Sequence, residues 1–302
     1  MTHHAQTPDT TPHAANRAAN QAANRTTNHA TARTTNRAAN RARSRAAHRA
    51  ANRGAALLLA GVGALCALCA TGCGQVGEAL GTSSDRYATA CAVVIDGSGS
   101  GQEGPEGFDA EEKLNTALPR FLQDRECRTL AFAPITLASE FSDCQQETLD
   151  LDPDAEATDD REEVRAAWRA VAAEQARDLL ACARRQQPAG SDVLGALDRI
   201  SHAAPGGDEP FDVLVVSDFI QWDRSFQLRA NELTTAESRT AAIDELADQG
   251  RLPGLPDTTT VFPSGYGMRF SDDPAEYEGF DAFWTELLEE RVNTHVSFDY
   301  RQ

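Results

Sequence analysis

One short stretch of the sequence combines an acid, two hydroxyls and several glycines in an order that suits ligand binding. In "CAVVIDGSGSGQEG", residues 91–104, a compact apolar run ends at Asp96, and Ser98 and Ser100 follow it between glycines. Oxygen atoms at alternate positions of a tight loop point to one side, and hard cations such as Mg²⁺ prefer oxygen ligands. The pattern therefore indicates a loop that holds a divalent cation.

Two other patterns fit the same loop less well. Residues 99–104 spell the G-x-G-x-x-G of dinucleotide-binding loops, but Glu103 would bring negative charge to the pyrophosphate and Pro105 would interrupt the turn. A serine hydrolase needs G-x-S-x-G, and reading from Gly97 places Gly99 at the nucleophile position. Nucleotide binding and acyl transfer are therefore disfavoured.

The elements around this loop predict its place in a fold. The apolar stretches "TACAVVID" (89–96) and "FDVLVVSDF" (211–219) read as buried strands, and "DDREEVRAAWRAVAAEQARDLLACARR" (159–185) reads as a strong helix. Strands alternating with amphipathic helices predict a single α/β domain, a doubly wound and mainly parallel sheet with helices on both faces. In such sheets ligands bind beyond the carboxyl ends of the strands, where Asp96 and Asp218 stand.

Three motifs in chain order resemble the von Willebrand factor A domain with its metal-ion-dependent adhesion site. They are the D-x-S-x-S loop, "AGSDVLGAL" before a helix, and "VLVVSDF" at the end of a strand. The residues that match the family's metal site are Asp96, Ser98, Ser100, Ser191 and Asp218. Two positions depart from the family pattern: Ser191 stands where the family has threonine, and Phe219 stands where glycine is common.

The resemblance covers residues 89–302 and implies a function. Ser98, Ser100 and sometimes Ser191 would ligate Mg²⁺, Mn²⁺ or Ca²⁺ directly. Asp96 and Asp218 would lie close to the ion or act on it through water. An acidic side chain of a protein partner would complete the metal shell. The sequence offers no residue set for catalysis, so the chain is not expected to be an enzyme. A metal-assisted hydrolase is a weaker alternative.

The N-terminal quarter of the chain carries targeting signals. Residues 1–53 hold nine arginines, one acid and variants of "AANR" and "TTNR", which predicts a disordered leader or a translation start that has been assigned too far upstream. Residues 54–73 contain a short apolar run ending in "ATGC", which resembles the lipobox of bacterial lipoproteins. That resemblance implies cleavage before Cys73, a lipid on its sulfur, and residues 74–88 as a tether. The domain is then expected on the outer face of the cell membrane. An uncleaved anchor helix is the alternative.

The charge balance narrows the class of partner. From Cys73 onward 19 basic residues stand against 45 acidic ones, once the nine arginines and one acid of the leader are set aside. A nucleic acid partner is disfavoured, because phosphates need a basic face. An acidic surface of this kind is consistent with a domain that needs a bound cation, or with one that binds a basic partner. It also leaves open a scaffold that binds through its acidic faces with no metal.

Four cysteines follow Cys73, namely Cys91, Cys127, Cys144 and Cys182. An even number in an exported chain predicts two disulfides, for which three pairings are possible. In the sheet of the resembled family the first two strands are parallel neighbours. The resemblance therefore implies Cys91–Cys127, which leaves Cys144–Cys182. Four unpaired thiols are the alternative.

Overall fold

Four apolar runs and two short segments form the six-stranded sheet of the described residues. The computed structural model describes residues 86–104, 107–154, 160–270 and 272–301. The strands are β1 (Thr89–Asp96), β2 (Cys127–Ile135), β3 (Leu149–Asp150), β4 (Phe211–Val216), β5 (Thr259–Ser264) and β6 (His295–Val296). The predicted leader, the signal segment, Cys73 and residues 74–85 of the tether lie outside the described residues.

Within the ranges that the structure describes, five α-helices connect the strands, and polar side chains cap their N-termini. The helices are α1 (Ala110–Asp124), α2 (Arg161–Arg184), α3 (Val193–Ser201), α4 (Ala236–Asp248) and α5 (Pro274–Thr285), and a π-helical turn (Glu286–Arg291) extends α5. Asp109, Asp160, Asp192 and Asp273 each accept a backbone N–H of the first turn. Thr235 forms a capping box with Ser238. Such caps satisfy N–H groups that have no partner within the helix.

The strand order is β3-β2-β1-β4-β5-β6, and every pairing is parallel except that of β2 with β3. The prediction of an α/β fold with a mainly parallel sheet is therefore confirmed. The chain leaves β1 toward β2 on one side and later returns to β4 on the other. Parallel strands that diverge in this way open a crevice between their carboxyl ends, and that crevice is the usual ligand site of such sheets.

The core consists of two clusters, and β1 contributes to both. Its residues Ala90, Ala92 and Val94 pack with α3, α4 and α5, and its residues Cys91, Val93 and Ile95 pack with α1 and α2. Successive side chains of a strand point to opposite faces, which explains the alternation. Because β1 is buried along almost its whole length, the position of its last residue, Asp96, is fixed by packing.

Two disulfides join elements around β1. One links Cys91 to Cys127, at the starts of the neighbouring strands β1 and β2. The other links Cys144, in the loop after β2, to Cys182 near the end of α2. Both expected pairings are therefore confirmed. Disulfides persist in oxidising compartments, so the domain is suited to an extracellular or similarly oxidising environment.

The last residues of the predicted tether contact the sheet edge. The backbone N–H of Tyr87 donates to Oδ2 of Asp152 at 2.8 Å, and Nε of Arg165 donates to Oδ1 at 2.9 Å. The guanidinium of Arg165 also stacks 3.8 Å from the ring centroid of Tyr87. Burial raises the pKa of Asp152, but these donors outweigh it and the pKa lies below its ordinary value.

Within the described ranges, no helix has the length and apolarity needed to cross a membrane.

A candidate cation site at the carboxyl ends of β1 and β4

Asp96 lies at the centre of a cluster of hydroxyls. Its side chain is fully buried, and its Oδ1 accepts the backbone N–H of Ser98 at 2.8 Å. Oδ2 accepts two hydroxyls, from Ser191 at 3.0 Å and from Ser217 at 2.7 Å. Burial raises the pKa of Asp96, and these hydrogen bonds oppose the rise. The carboxylate thus joins the loop after β1, the start of α3 and the end of β4.

Asp218 faces the same crevice from the neighbouring strand. Its Oδ1 accepts the backbone N–H of Ile220 at 3.0 Å, and its side chain is hydrogen-bonded to that of Ser100. The hydroxyl oxygens of Ser98 and Ser100 lie 3.0 Å apart. Burial, followed by the negative charge of Asp96, raises the pKa of Asp218 to about 6. All five residues predicted from the sequence therefore lie within one connected group of hydrogen bonds.

The donor set of this group is chemically specific. It contains two carboxylates and several serine hydroxyls, all of them hard oxygen ligands of the kind that Mg²⁺ and Ca²⁺ accept. No group of three or more histidine, cysteine, aspartate or glutamate side chains in the described part of the chain could hold a metal ion. A cation here would therefore rely on hydroxyls as well as carboxylates. Two buried acids side by side repel each other when both ionise, and a cation would relieve that repulsion.

Close packing against α2 shapes the loop after β1. A Cβ on Gly97 would lie 2.4 Å from Cβ of Ala183 and 2.6 Å from its carbonyl carbon. Only glycine allows the end of α2 to approach the loop so closely. The backbone N–H of Gly97 donates to the carbonyl of Ile135 at 3.2 Å, and the carbonyl of Ser100 accepts the N–H of Phe108 at 2.9 Å. The loop that carries Ser98 and Ser100 is thereby held on both sides.

Ser191 is joined to the loop after β4 by its backbone. Its N–H donates to the carbonyl of Trp222 at 2.8 Å, and the N–H of Trp222 donates back to the carbonyl of Ser191 at 2.8 Å. The next residue, Asp192, caps α3 through the N–H of Gly195 and donates its own N–H to the carbonyl of Thr136. Ser191 is thus positioned by three separate segments of chain.

Behind Ser191 lies a polar network that the sequence analysis did not identify. The side-chain amide of Gln221 donates to Asp192 at 3.0 Å and to Asp223 at 2.6 Å. The guanidinium of Arg251 contacts the same two carboxylates. Burial raises the pKa of Asp223, but Arg251 and other donors outweigh it and hold the pKa below its ordinary value. The network joins the start of α3 to the loop after β4. It therefore holds together the two chain segments that carry Ser191 and Asp218.

Phe219 occupies the position where the resembled family commonly has glycine, and its backbone explains the preference. Its φ is 63°, in the left-handed region that glycine enters most easily. The side chain is fully buried and packs edge-on against Tyr266 and Trp284, whose indole N–H donates to the carbonyl of Phe219 at 3.1 Å. The aromatic ring therefore points into the core and leaves the crevice open.

The crevice opens into a hollow of about 540 Å³. The hydroxyl-bearing residues Ser98, Ser100 and Ser191 line it, together with Trp222 and Arg269. Four of the large exposed hydrophobic residues follow the carboxyl ends of parallel strands, namely Phe141, Trp222, Met268 and Phe298. The hollow thus belongs to an edge of the sheet that also exposes aromatic and aliphatic side chains.

Comparisons with known proteins add little to this geometry. No protein-family model and no curated protein matches the chain. Proximal thread matrix protein 1 from the mussel byssus is 13% identical, with 69% of this chain and 48% of that chain covered at a TM-score of 0.27. The human COPII-coat protein Sec24c is 12% identical, with 70% and 30% covered at a TM-score of 0.26. The chain thus spans less than half of either protein, and likeness at this level carries no argument about function.

Proposed function

We propose that this chain is a lipid-anchored extracytoplasmic module that binds a protein partner through a divalent cation. In this proposal the domain is of the von Willebrand factor A type, doubly wound with helices on both faces of its sheet. The cation, Mg²⁺ or else Mn²⁺ or Ca²⁺, is held by Asp96, Ser98, Ser100, Ser191 and Asp218. The module has no catalytic role.

The observation that carries the proposal is the convergence of these five residues from three separate loops. Ser191 lies 95 residues from Asp96 along the chain, yet its hydroxyl donates to that carboxylate at 3.0 Å. Buried carboxylates cost folding free energy unless charge or hydrogen bonds compensate them, and such groups concentrate at functional sites. Asp96 and Asp218 are both almost completely buried and both have raised pKa values.

Each residue has a distinct role in this proposal. The hydroxyls of Ser98, Ser100 and Ser191 are direct ligands, since they are neutral and need no proton loss to bind. Asp96 and Asp218 supply the negative charge close to the ion, directly or through water. With few protein charges on the ion, a carboxylate of the partner can complete the shell, which makes partner binding depend on the cation.

The surroundings of the hollow favour a protein as the partner. Trp222 is 54% exposed and Phe141 is 77% exposed, although large aromatic side chains are usually buried. Aromatic residues, methionine and arginine are enriched where proteins bind each other. The overall negative charge of the chain beyond Cys73 disfavours a nucleic acid in the same place.

A metal-independent scaffold is the alternative that one observation favours. Both oxygens of Asp96 accept hydrogen bonds from protein groups, so this carboxylate is satisfied without an ion. In that case the acid and its hydroxyl partners would serve to fix the three loops. The partner would then bind to the acidic and aromatic surface alone.

Thermal unfolding of the purified chain separates the two. With Mg²⁺ at about a hundred times its dissociation constant, the cation site should raise the free energy of unfolding by about 2.7 kcal/mol relative to chelator. Ser98→Ala should abolish this gain, and Ser201→Ala should keep it, because the Ser201 hydroxyl binds the carbonyl of Asp198 instead. Equal melting of the wild type with Mg²⁺, Mn²⁺, Ca²⁺ and chelator would favour the scaffold.

The anchor is tested at Cys73. The wild type should partition into detergent, whereas Cys73→Ser should accumulate as an uncleaved precursor or as a shed soluble form. Equal partitioning of both would indicate that a protein segment holds the chain at the membrane. Ester and phosphate hydrolysis, lost in an Asp96→Ala variant, would instead support the hydrolase alternative.

A further inference from the structure

A second hollow adjoins the first at the carboxyl edge of the sheet. It has a volume of about 310 Å³, and it shares Ile220, Trp222 and Arg269 with the larger hollow, which the three serines of the candidate cation site line. Its further lining includes Arg229 and Phe270. Because the shared residues form the wall between the two hollows, a ligand longer than one side chain can reach both by crossing Trp222 and Arg269.

The charges around this double hollow differ from those of the chain as a whole. From Cys73 onward acids outnumber bases by more than two to one, yet residues 219–231 carry exposed Arg224 and Arg229 and only one acid, Asp223. That acid is buried and bound by Arg251. Residues 219–231 therefore carry a small excess of positive charge on an acidic molecule, although the acids Asp218 and Glu232 lie directly on either side of them.

Arg269 is the most informative of these arginines. It is exposed, it lines both hollows, and it forms no hydrogen bond or ion pair with another described residue. Eleven arginines of the described ranges do form ion pairs, among them Arg229 with Glu232. Among the described residues two acids line the hollows, Glu103 in the larger and Glu276 in the smaller, and neither pairs with Arg269. The acid that Arg269 does influence is Asp218, since the positive charge of the arginine acts to lower the pKa of that carboxyl without forming an ion pair with it. A guanidinium with unused donors in a hollow fits a carboxylate of a ligand.

Trp222 supplies an apolar contact between the two hollows. Its side chain is 54% exposed, and the two backbone hydrogen bonds to Ser191 hold its position. Tryptophan and arginine are among the residues most enriched at strongly contributing interface positions. The wall between the hollows thus combines an exposed aromatic ring on an anchored backbone with a positive charge that forms no ion pair with another described residue.

We propose that the partner presents an acidic peptide segment with two carboxylates a few residues apart. The first carboxylate reaches the cation, and this contact rests on the function proposed above. The second carboxylate pairs with Arg269, and an apolar side chain of the segment packs on Trp222. Arg269 and Trp222 therefore determine which acidic segment binds. A nucleic acid or an anionic lipid surface fits less well, because the acidic remainder of the chain repels an extended polyanion.

A random peptide library, selected on the full-length protein in Mg²⁺, provides the probe. Selected peptides should carry two acidic residues with an apolar residue near them. For one selected peptide, the dissociation constant is then measured by fluorescence polarisation against the wild type and its variants. Arg269→Glu should weaken binding at least tenfold, Arg269→Lys should weaken it less, and Trp222→Ala should also weaken it. Arg177→Glu is the matched control, since Arg177 is exposed on α2 and lines neither hollow.

A double-mutant cycle assigns the second carboxylate. Replacing that acid by its amide should raise the dissociation constant of the peptide for the wild type and leave it unchanged for the Arg269→Ala variant. The inference is overturned if Arg269→Glu binds as well as the wild type, if selected peptides carry a single acid, or if no peptide is enriched. It is overturned equally if DNA or anionic vesicles, but no peptide, bind in a manner that depends on Arg269.

The two proposals fail in different ways. Binding that chelator abolishes but Arg269→Glu leaves unchanged would retain the cation site and remove the second anchor. Binding that Arg269→Glu abolishes but chelator leaves unchanged would retain the second anchor and contradict the cation site.

Discussion

Nη2 of Arg251 lies 3.3 Å from Oδ1 of Asp192 and also binds the carboxylate of Asp223. One guanidinium therefore joins the residue that follows Ser191 to the loop that carries Trp222. The side chain of Arg251 is only 18% exposed, and those of Asp192 and Asp223 are 11% and 6% exposed. The three charges are shielded from water, so each depends on the others for compensation.

Arg251→Met should destabilise the domain and loosen the candidate site together. Two buried carboxylates would lose their charge partner, which lowers the free energy of unfolding by about 3 kcal/mol. Because Asp192 also positions Ser191, the affinity for Mg²⁺ should fall several-fold. Urea unfolding and calorimetric titration measure the two effects.

Arg239→Met is the matched control for this prediction. Nε of Arg239 donates to Glu286 at 2.8 Å in a similarly sheltered pair between α4 and the π-helical turn, and neither residue lines the larger hollow. This variant should lose stability and keep its cation affinity. An equal loss of affinity in both variants would show that Arg251 acts only through general stability.

The sequence predicted the strands that position the site because their apolar runs are long and bounded. The structure places β1 at Thr89–Asp96, the range expected for it, and α2 at Arg161–Arg184 within the expected 159–185. The two-residue strand β3 was missed, since Leu149–Asp150 has no apolar run and pairs only at the edge of the sheet. Such a short pairing depends on tertiary contacts, which a local pattern does not contain.

The residues that gather in the candidate site could be predicted only where they belong to a compact motif. Ser217 was missed, although it stands beside Asp218, because a hydroxyl at a strand end is common and its orientation toward Asp96 depends on the neighbouring strand. No sequence motif indicates a role for Arg251, because its partner Asp192 lies 59 residues away along the chain. Contacts between residues so far apart in the sequence depend on the fold and can be identified only once the fold is known.

Gly97→Ala should disturb the loop after β1 by steric overlap. The new methyl group would overlap Cβ and backbone atoms of Ala183, and backbone atoms cannot move aside cheaply. Overpacking of this kind lowers the free energy of unfolding by about 1–3 kcal/mol. Gly99→Ala, two residues along, meets nothing within 4 Å and should leave stability unchanged or raise it by up to about 1 kcal/mol. Equal unfolding midpoints for the two variants would contradict the close approach of α2.

Cation binding should weaken as the pH falls through 6. The pKa of Asp218 is raised to about 6 by burial and by Asp96, so at pH 5 most of its population is protonated and lacks the charge that attracts an ion. The affinity for Mg²⁺ should fall about tenfold between pH 7 and pH 5, since one pKa unit is a factor of ten. Calorimetric titration at the two pH values measures it, and Asp218→Asn should remove most of the dependence.

Without a cation, the same raised pKa has the opposite consequence for stability. The folded chain binds a proton at Asp218 more readily than the unfolded chain, whose carboxyl has a pKa near 3.8. The free energy of unfolding in chelator should therefore decrease as the pH rises from about 4 to 6 and then level off, as far as Asp218 contributes. An increase over that range that Asp218→Asn does not change would contradict the assigned environment.

Removing the Cys144–Cys182 disulfide should lower both stability and cation affinity. Its closed loop spans 38 residues and that of Cys91–Cys127 spans 36, so the chain-entropy model gives each a contribution of about 4 kcal/mol. Cys182 precedes Ala183, the residue that packs against Gly97 in the candidate site. The double variant Cys144→Ala, Cys182→Ala should therefore lose affinity for Mg²⁺ as well as stability.

The variant Cys91→Ala, Cys127→Ala is the control, because its disulfide lies at the starts of β1 and β2, the end of the strands opposite to the site. It should lose a similar free energy of unfolding and keep its affinity. Equal affinity for Mg²⁺ in the two double variants would mean that the end of α2 does not position the loop that carries Ser98 and Ser100.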